Sequence, residues 1–302
     1  MKKILSFAIA VTLAFALTGC GNSTPKQNQN DEPNQQTEVN EEPQQEVQEP
    51  GFPWDFPEGN INEGLAEGQT ALSVQSFYPS NLEESDDPAN ETYIFYSTTV
   101  KSVGETTSMV SDFGSIVEMP NSLIIPLPAG QKAQKGDIIL TWWQSGSGME
   151  RAIVTDASNP EAPKVDYLDL DYKDDGTGFA NENANEQIEP NTFTILRDGE
   201  WQPGAQIVVV GDGYEAGTLI SYTDDQVLML GFAGKISVVD RSDCKVVPLK
   251  QDLKVGDEVR AIFTSSYKAG YTIKKIDENI GRVWVEGSFG DEVVSILEVY
   301  KE

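Results

Sequence analysis

The chain of 302 residues contains no histidine, only two cysteines, and 21 Lys and Arg against 49 Asp and Glu. Without an imidazole, Ser-His-Asp or Cys-His nucleophiles and His-ligated zinc or haem are excluded. Two cysteines are too few for a disulfide framework or for a thiolate-rich zinc or iron–sulfur site. The formal net charge of −28 also argues against nucleic acid as a partner, because that binding requires Lys and Arg to neutralise phosphates.

The first residues are organised like a secretory signal. Two lysines precede an apolar stretch over residues 4–17, which is too short to cross a bilayer as a helix. It ends in Leu-Thr-Gly-Cys at residues 17–20, which resembles the lipobox of bacterial lipoproteins. The resemblance implies removal of residues 1–19 as a lipoprotein signal peptide and acylation of Cys20 with palmitate-like chains. An ordinary secretory signal that happens to end near a cysteine is the alternative.

The resemblance to lipoproteins also predicts an extracytoplasmic location, with Cys20 anchoring the protein in the lipid bilayer. Gly21 after the cysteine fits either a Gram-positive cell membrane or the outer membrane of a Gram-negative cell. The sixteen lysines and five arginines favour a low-GC, Gram-positive source.

Residues 20–69 have the composition of a tether. Gln, Asn, Glu and Pro dominate, and such a segment lacks the apolar surface needed to offset its ordering entropy, so it is expected to be a disordered acidic linker. Phe52, Trp54 and Phe56 interrupt this composition. They are interpreted as a hydrophobic clasp on the first folded domain, and a peptide ligand presented to a partner is the alternative.

Beyond residue 70 the sequence indicates an all-β fold. Short runs of Val, Ile, Tyr and Thr alternate with Gly, Asp, Asn and Ser, and the pattern repeats. A turn glycine before an apolar strand recurs at Gly136, Gly204 and Gly256, and each is followed by further strands of similar spacing. The predicted domains are a degenerate β-barrel-like unit and three better-defined ones: residues 70–130 (unit one), 131–198 (unit two), 199–250 (unit three) and 251–302 (unit four).

Unit two carries the clearest version of the repeat, with Gly-Asp-Ile-Ile-Leu-Thr-Trp-Trp-Gln at residues 136–144 and Arg-Ala-Ile-Val at 151–154. This pattern resembles tandem SH3-like small β-barrels, with the Tudor and Agenet subgroup as the nearest likeness. Units of this size bury too little surface to be stable alone, so neighbouring units are expected to pack together. One large β-sandwich is the alternative.

Two motifs resemble catalytic or nucleotide-binding signatures but lack the necessary context. Glycines at 211 and 213 follow a strand as in dinucleotide-binding folds, but the next segment has a strand pattern instead of the required helix. Residues 265–268 match Ser-x-x-Lys, without the helix or partner motifs of acyl enzymes. We therefore expect no nucleotide and no catalytic residues. Cys244 is expected to be a small buried side chain.

The densest acidic cluster lies at the end of the third strand of unit two. Carboxylates beside a turn glycine suit Ca²⁺, although the spacing differs from an EF-hand loop. No other cofactor is expected, and a solvated acidic loop is the alternative to a weak calcium site. The candidate ligands are Asp169, Asp171, Asp174 and Asp175.

Four aromatic residues of unit two are candidates for ligand binding: Trp142, Trp143, Tyr167 and Tyr172. In the resembled families, aromatics near the first and third strands line a groove, and the acidic residues nearby would favour a cationic guest. Strand alternation sends Trp142 and Trp143 to opposite faces, so one is expected in the core and the other at the surface. Core filling and contact between units is the alternative role.

Together these features predict a membrane-anchored envelope lipoprotein that acts as a non-catalytic binding or scaffolding module. A protein, a peptide or a cell-wall glycan is the expected ligand. A carboxylate-dependent envelope hydrolase and a purely structural spacer are the alternatives, since neither requires histidine.

Overall fold

The computed structural model describes residues 51–170, 172–173, 185–211, 213–288 and 290–302. The signal peptide, Cys20 and residues 21–50 lie outside the described residues. So do three of the predicted calcium ligands, Asp171, Asp174 and Asp175.

The described residues are mostly β, which confirms the all-β prediction. The single α-helix in this part of the chain, α1 (Phe77–Glu84), is an exception to the strand pattern expected beyond residue 70. No helix among the described residues is long and apolar enough to cross a membrane. The strands are β1 (Thr70–Ser73), β2 (Tyr96–Val103), β3 (Thr107–Asp112), β4 (Ser115–Pro120), β5 (Ile124–Pro126), β6 (Ile138–Trp142), β7 (Met149–Asp156), β8 (Lys164–Tyr167), β9 (Glu186–Gln187), β10 (Thr194–Ile195), β11 (Gln206–Val210), β12 (Tyr214–Tyr222), β13 (Gln226–Leu230), β14 (Ile236–Asp240), β15 (Cys244–Val246), β16 (Glu258–Phe263), β17 (Ser266–Asp277), β18 (Arg282–Gly287), β19 (Gly290–Ser295) and β20 (Val299–Tyr300).

The strands fall into four sets of five with the same antiparallel pairing order. In unit one the order is β4-β3-β2-β1-β5, so the first strand pairs with both the second and the fifth. The corresponding orders are β9-β8-β7-β6-β10 in unit two, β14-β13-β12-β11-β15 in unit three and β19-β18-β17-β16-β20 in unit four. The regular spacing of glycines and strands in the sequence thus corresponds to a strand topology that is repeated in the four units.

The apolar stretch at 293–297 has the sequence pattern of a closing strand for unit four. In the structure it lies mainly in the fourth strand β19, and the closing strand is β20. A short 3₁₀ turn precedes the fifth strand in units one, three and four, over Asn121–Leu123, Arg241–Asp243 and Ile296–Glu298. That turn hides the fifth strand of unit four, since it interrupts the period-two pattern just before a strand of only two residues.

The sheets of the described residues are open, since no fourth strand pairs with a fifth strand. Units three and four share one ten-stranded sheet, which is joined where Glu215 of β12 pairs with Ser266 of β17. Closure into SH3-like barrels stays a prediction.

One large hydrophobic cluster is shared by all four units. It contains strand residues of unit one, Leu140 and Ile153 of unit two, Ile220 and Leu228 of unit three, and Leu297 of unit four. Units two, three and four each have a smaller cluster of their own. The units are therefore packed around a common interior, as expected for β units too small to be stable alone.

Glycine allows the closest contacts between units. A Cβ on Gly281, whose φ is +61°, would lie 2.7 Å from a methyl group of Leu168 in unit two. A Cβ on Gly234 would lie 2.7 Å from the carbonyl oxygen of Tyr93 in unit one, and the Tyr93 amide donates to the Gly234 carbonyl at 2.8 Å. Units distant in sequence are thus in backbone contact.

Candidate functional site

The two predicted tryptophans follow strand alternation, but both are half-buried. Trp142 packs against the shared core and Trp143 packs against the separate core of unit two. The Trp143 Nε1 donates to the Ser145 hydroxyl at 2.9 Å. We expected one tryptophan in the core and the other at the surface. Instead, each packs against a different core, because another unit covers the outer face of β6.

The two predicted tyrosines lie in different surroundings. Tyr167 is fully buried in the core of unit two, and its hydroxyl accepts from the Gln144 amide at 3.1 Å. Tyr172 packs edge-on against Trp284 of unit four, with ring centroids 6.3 Å apart. The Arg282 guanidinium lies 5.1 Å from the Tyr172 ring centre. These contacts match the core-filling and inter-unit alternative.

Asp169 is the one predicted calcium ligand within the described residues, and it is an ion-pair partner. Its carboxylate accepts from the Arg151 Nε at 2.9 Å and from the Arg151 backbone amide at 2.7 Å. No group of three or more acidic or cysteine residues in the described part of the chain is placed to hold a metal ion.

Arg151 is at the centre of a junction between three units. It is only 5% exposed, and its Nη1 donates to the Gln206 side chain of unit three at 2.6 Å. Burial opposes the Arg151 charge, but the Asp169 carboxylate outweighs it and raises the Arg151 pKa. From unit four, the buried Arg282 donates to the carbonyls of Tyr167 and Leu170 at 2.7 and 3.1 Å.

A cavity of about 360 Å³ opens at this junction. Arg151, Asp169 and Glu298 line it together with apolar side chains of units two and three. Burial raises the pKa of Glu298, and the nearby Asp169 carboxylate adds to this shift.

The charged groups of this cavity have structural roles. The Glu298 carboxylate accepts from the Ser295 amide at 2.7 Å in a capping box, and Asp169 is bound to Arg151. Replacement of a buried ion pair by apolar residues is often neutral or stabilising, so we interpret this pair as fixing the arrangement of the packed units. The arrangement thus fits the locking of units two, three and four better than acid–base chemistry.

The aromatic segment before unit one contributes to the interior and is here called the clasp segment (residues 52–62). Trp54 is buried against Tyr78 and Tyr93 of unit one, with ring centroids 6.4 and 5.3 Å apart. Its Nε1 donates to the Ile236 carbonyl of unit three at 3.0 Å. The clasp prediction is therefore confirmed, with unit three as a second attachment.

Asparagines of the clasp segment complete this bridge. Asn62 Nδ2 donates to the carbonyls of Ile124 in unit one and Ile220 in unit three at 2.8 and 3.2 Å. Asn60 donates to the Ser221 hydroxyl at 2.8 Å. Packing therefore begins before residue 70, and residues 52–62, expected to be the end of the disordered tether, are ordered.

Sequence reasoning missed a group of rings on unit one, here called the aromatic patch, in which Phe77 and Phe113 are exposed and Tyr96 is half-buried. The Phe77 and Tyr96 rings are stacked with centroids 5.7 Å apart, and Phe113 meets Tyr96 edge-on at 6.3 Å. The three residues come from α1, β2 and the β3–β4 turn. The one local signal was Phe113 itself, because phenylalanine before glycine is unusual in a turn.

No protein-family model matches the chain, and no curated protein matches it.

Proposed function

We propose that the protein is a lipid-anchored, extracytoplasmic lipoprotein that acts as a non-catalytic binding or scaffolding module in a bacterial envelope. Its four units are proposed to be SH3-like barrels. The observation that carries the proposal is the shared interior: four units and the clasp segment bury one common core. That interior makes a single body whose outer surface is available for contact.

The sequence around this body supports an anchored arrangement. Thirty-one residues, 21–51, separate Cys20 from the clasp segment. A coil of that length spans about 30 Å between its ends, which would carry the folded part beyond the lipid headgroups. Two or three acyl chains on one cysteine hold a protein at a bilayer far more firmly than one chain.

The binding role is preferred to the hydrolase and to the spacer. The carboxylates that line the junction cavity are engaged by Arg151 and by a capping amide, which leaves little for acid–base catalysis. The aromatic patch of unit one also favours binding over a spacer, because a spacer does not require exposed rings, whereas exposed aromatic groups are typical of interaction surfaces.

The anchor is tested by metabolic labelling with an alkyne analogue of palmitate in a Gram-positive host that expresses the full chain. We expect label on the wild-type protein and none on Cys20→Ser, which should also be released into the medium. Cys244→Ser is the matched control, because Cys244 is buried in unit three. Equal labelling of Cys20→Ser and the wild type would refute the anchor.

The binding role is tested by chemical crosslinking of the labelled, membrane-bound protein in intact cells. A scaffold should give the same crosslinked partner repeatedly. A spacer should give no crosslinked partner. Crosslinks to lipid alone, or the absence of any crosslinked product, would overturn the binding role.

A further inference from the structure

The aromatic patch of unit one occupies a position that the fold itself does not require. Phe113 is 87% exposed and Phe77 is 43% exposed, so neither ring is needed to fill a core. The patch is also separate from the predicted groove of unit two, whose rings are buried or engaged in contacts between units. Burial therefore does not account for these rings.

Phe113 holds a backbone conformation that disfavours a large side chain. Asp112 pairs with Ser115, so Phe113 and Gly114 form a two-residue hairpin turn with φ values of +37° and +103°. Asn-Gly or Asp-Gly is the usual sequence for such a turn, because both central residues have positive φ. Strained backbone that is retained at an exposed position is characteristic of functional sites.

A second strained residue sets the other side of the patch. Gln75, with φ +50°, lies two residues before the first residue of α1, and its Nε2 donates to the Ser97 carbonyl of β2 at 2.6 Å. This bond holds the start of α1 against β2 and brings Phe77 onto the Tyr96 ring. Two positive-φ residues thus bracket the three rings.

Buried acceptors without a partner lie beside the same rings. Ser73 pairs directly with Tyr96 across β1 and β2, which puts both side chains on one face of the sheet. Val100 of β2 pairs with Val110 of β3, so their side chains share a face. Tyr96 is an even number of positions from Val100 along β2, and Asp112 is an even number of positions from Val110 along β3, so Asp112 lies on the same face as Tyr96.

Three side-chain oxygens in this region are buried and find no hydrogen-bond partner among the described residues: Ser73 Oγ, Gln75 Oε1 and Asp112 Oδ1. Buried polar atoms of folded proteins are nearly always hydrogen-bonded, so each exception calls for an explanation. Asp112 is the acidic member of this group, and its incompletely paired carboxylate puts negative charge beside the rings, which favours a ligand that carries positive charge.

The charge of unit one selects the same kind of ligand. Residues 71–130 contain eight acidic residues and one lysine, the strongest imbalance per residue of the four units. Aromatic faces attract ammonium and guanidinium groups, and the surrounding negative field raises the local concentration of cations.

We propose that the aromatic patch binds a basic segment of a partner protein by taking a lysine or arginine side chain against Phe77, Tyr96 and Phe113, toward Asp112. The proposal rests on the binding role proposed above and names its partner chemistry. An anionic lipid surface and a second copy of this acidic chain are disfavoured by charge, and both become outcomes of the test.

The test uses the full chain in detergent and a fluorescent peptide of alternating lysine and alanine, with glutamate–alanine and glutamine–alanine peptides for comparison. We expect anisotropy to report binding of the lysine peptide alone, weakening as salt is raised through about 0.15 M, where screening acts within about 8 Å. Equal binding of the glutamine peptide would overturn the cationic preference.

The informative variant is Phe113→Asn, because asparagine suits the positive-φ turn and should leave the fold intact. Loss of a cation–ring contact should weaken peptide binding about two- to thirtyfold. Asp112→Asn should weaken it as well. Ile116→Asn is the matched control: Ile116 is 58% exposed in the same hairpin but lies on the opposite face from Asp112.

The outcomes separate this proposal from the lipoprotein proposal. Binding that Phe113→Asn reduces and Ile116→Asn leaves unchanged supports the patch. Absence of peptide binding, binding that Phe113→Asn leaves unchanged, tighter binding to anionic vesicles, or concentration-dependent dimers lost in Phe113→Asn would each overturn it. Cys20 labelling tests the anchor alone and does not depend on the patch.

Discussion

The junction around Arg151 and the aromatic patch of unit one both combine charge with burial, but they differ in how their polar groups are paired. At the junction, Arg151 is paired with Asp169 and Gln206 across two units. At the patch, three buried oxygens find no hydrogen-bond partner among the described residues, and two of the three rings beside them, Phe77 and Phe113, are exposed. Charge engaged inside a protein fixes its architecture, whereas incompletely paired acceptors beside exposed rings indicate a surface for binding.

The largest expected effect concerns the interior. Trp54→Ala should destabilise the folded part by about 4 kcal/mol, since truncation of a buried aromatic ring costs about 3–5 kcal/mol. Trp54→Phe keeps most of the apolar surface and loses the bond to the Ile236 carbonyl, which is worth about 1 kcal/mol. Urea unfolding of both variants measures the difference. If Trp54→Ala left the free energy of unfolding unchanged, the clasp segment would not hold units one and three together.

Breaking the junction should have the next largest effect. Arg151→Met leaves the Asp169 carboxylate without its cation, and removal of one partner of a buried pair costs about 3 kcal/mol or somewhat more. Arg151→Met with Asp169→Asn should recover most of this loss, because asparagine still accepts from the residue 151 amide. A double-mutant cycle in urea checks the coupling, and additive losses would contradict a structural pair.

At the aromatic patch, in contrast to the junction, a substitution is expected to increase the stability of the protein. Phe113→Asn should stabilise the protein by about 1 kcal/mol, because release of a strained positive-φ residue recovers about 1–3 kcal/mol while little burial is lost. Thermal unfolding of this variant beside Ile116→Asn measures the effect. Destabilisation by Phe113→Asn would show that the ring has a structural role.

The smallest expected effect is the pH dependence of the junction. Burial raises the Glu298 pKa above its ordinary value of 4.5, so the folded state binds this proton more tightly than the unfolded state does. The stability that this proton contributes is complete below 4.5 and is lost as pH rises through the folded-state pKa.

Glu298→Gln should therefore gain stability relative to the wild type as pH rises, with no such trend below 4.5. Denaturant midpoints at a series of pH values measure this difference. A difference that stays constant across the pH series would contradict the raised pKa of Glu298.

Much of the fold could be predicted from the sequence because it follows from short-range physical chemistry. Turn glycines such as Gly136 and Gly256 need positive φ values of +87° and +92°, and they precede apolar strands, so the period of the repeat was visible. The fifth strand of unit four was missed because β20 has only two residues. So short a strand is specified by pairing with β16, which brings together residues distant in sequence.

The candidate residues were harder to predict than the strands. Strand alternation correctly placed Trp142 and Trp143 on opposite faces of β6. It did not predict that a second unit covers the outer face of this strand. Tyr96 and Phe113 lie on separate strands or turns, and Phe77 lies on a short helix. Their contact depends on the register of β2 with β3 and on the bond from Gln75.

The sequence by itself determined the all-β class, the repeat and its turns, and the acidic composition, because each depends on residue type and local spacing. The tertiary structure alone decided that the clasp segment joins units one and three, that Arg151 and Arg282 join unit two to units three and four, and that three rings meet on unit one. These contacts join positions from 17 residues apart, for Tyr96 and Phe113, to 182 residues apart, for Trp54 and Ile236. They depend on strand register within a unit and on packing between units, and local sequence patterns encode neither.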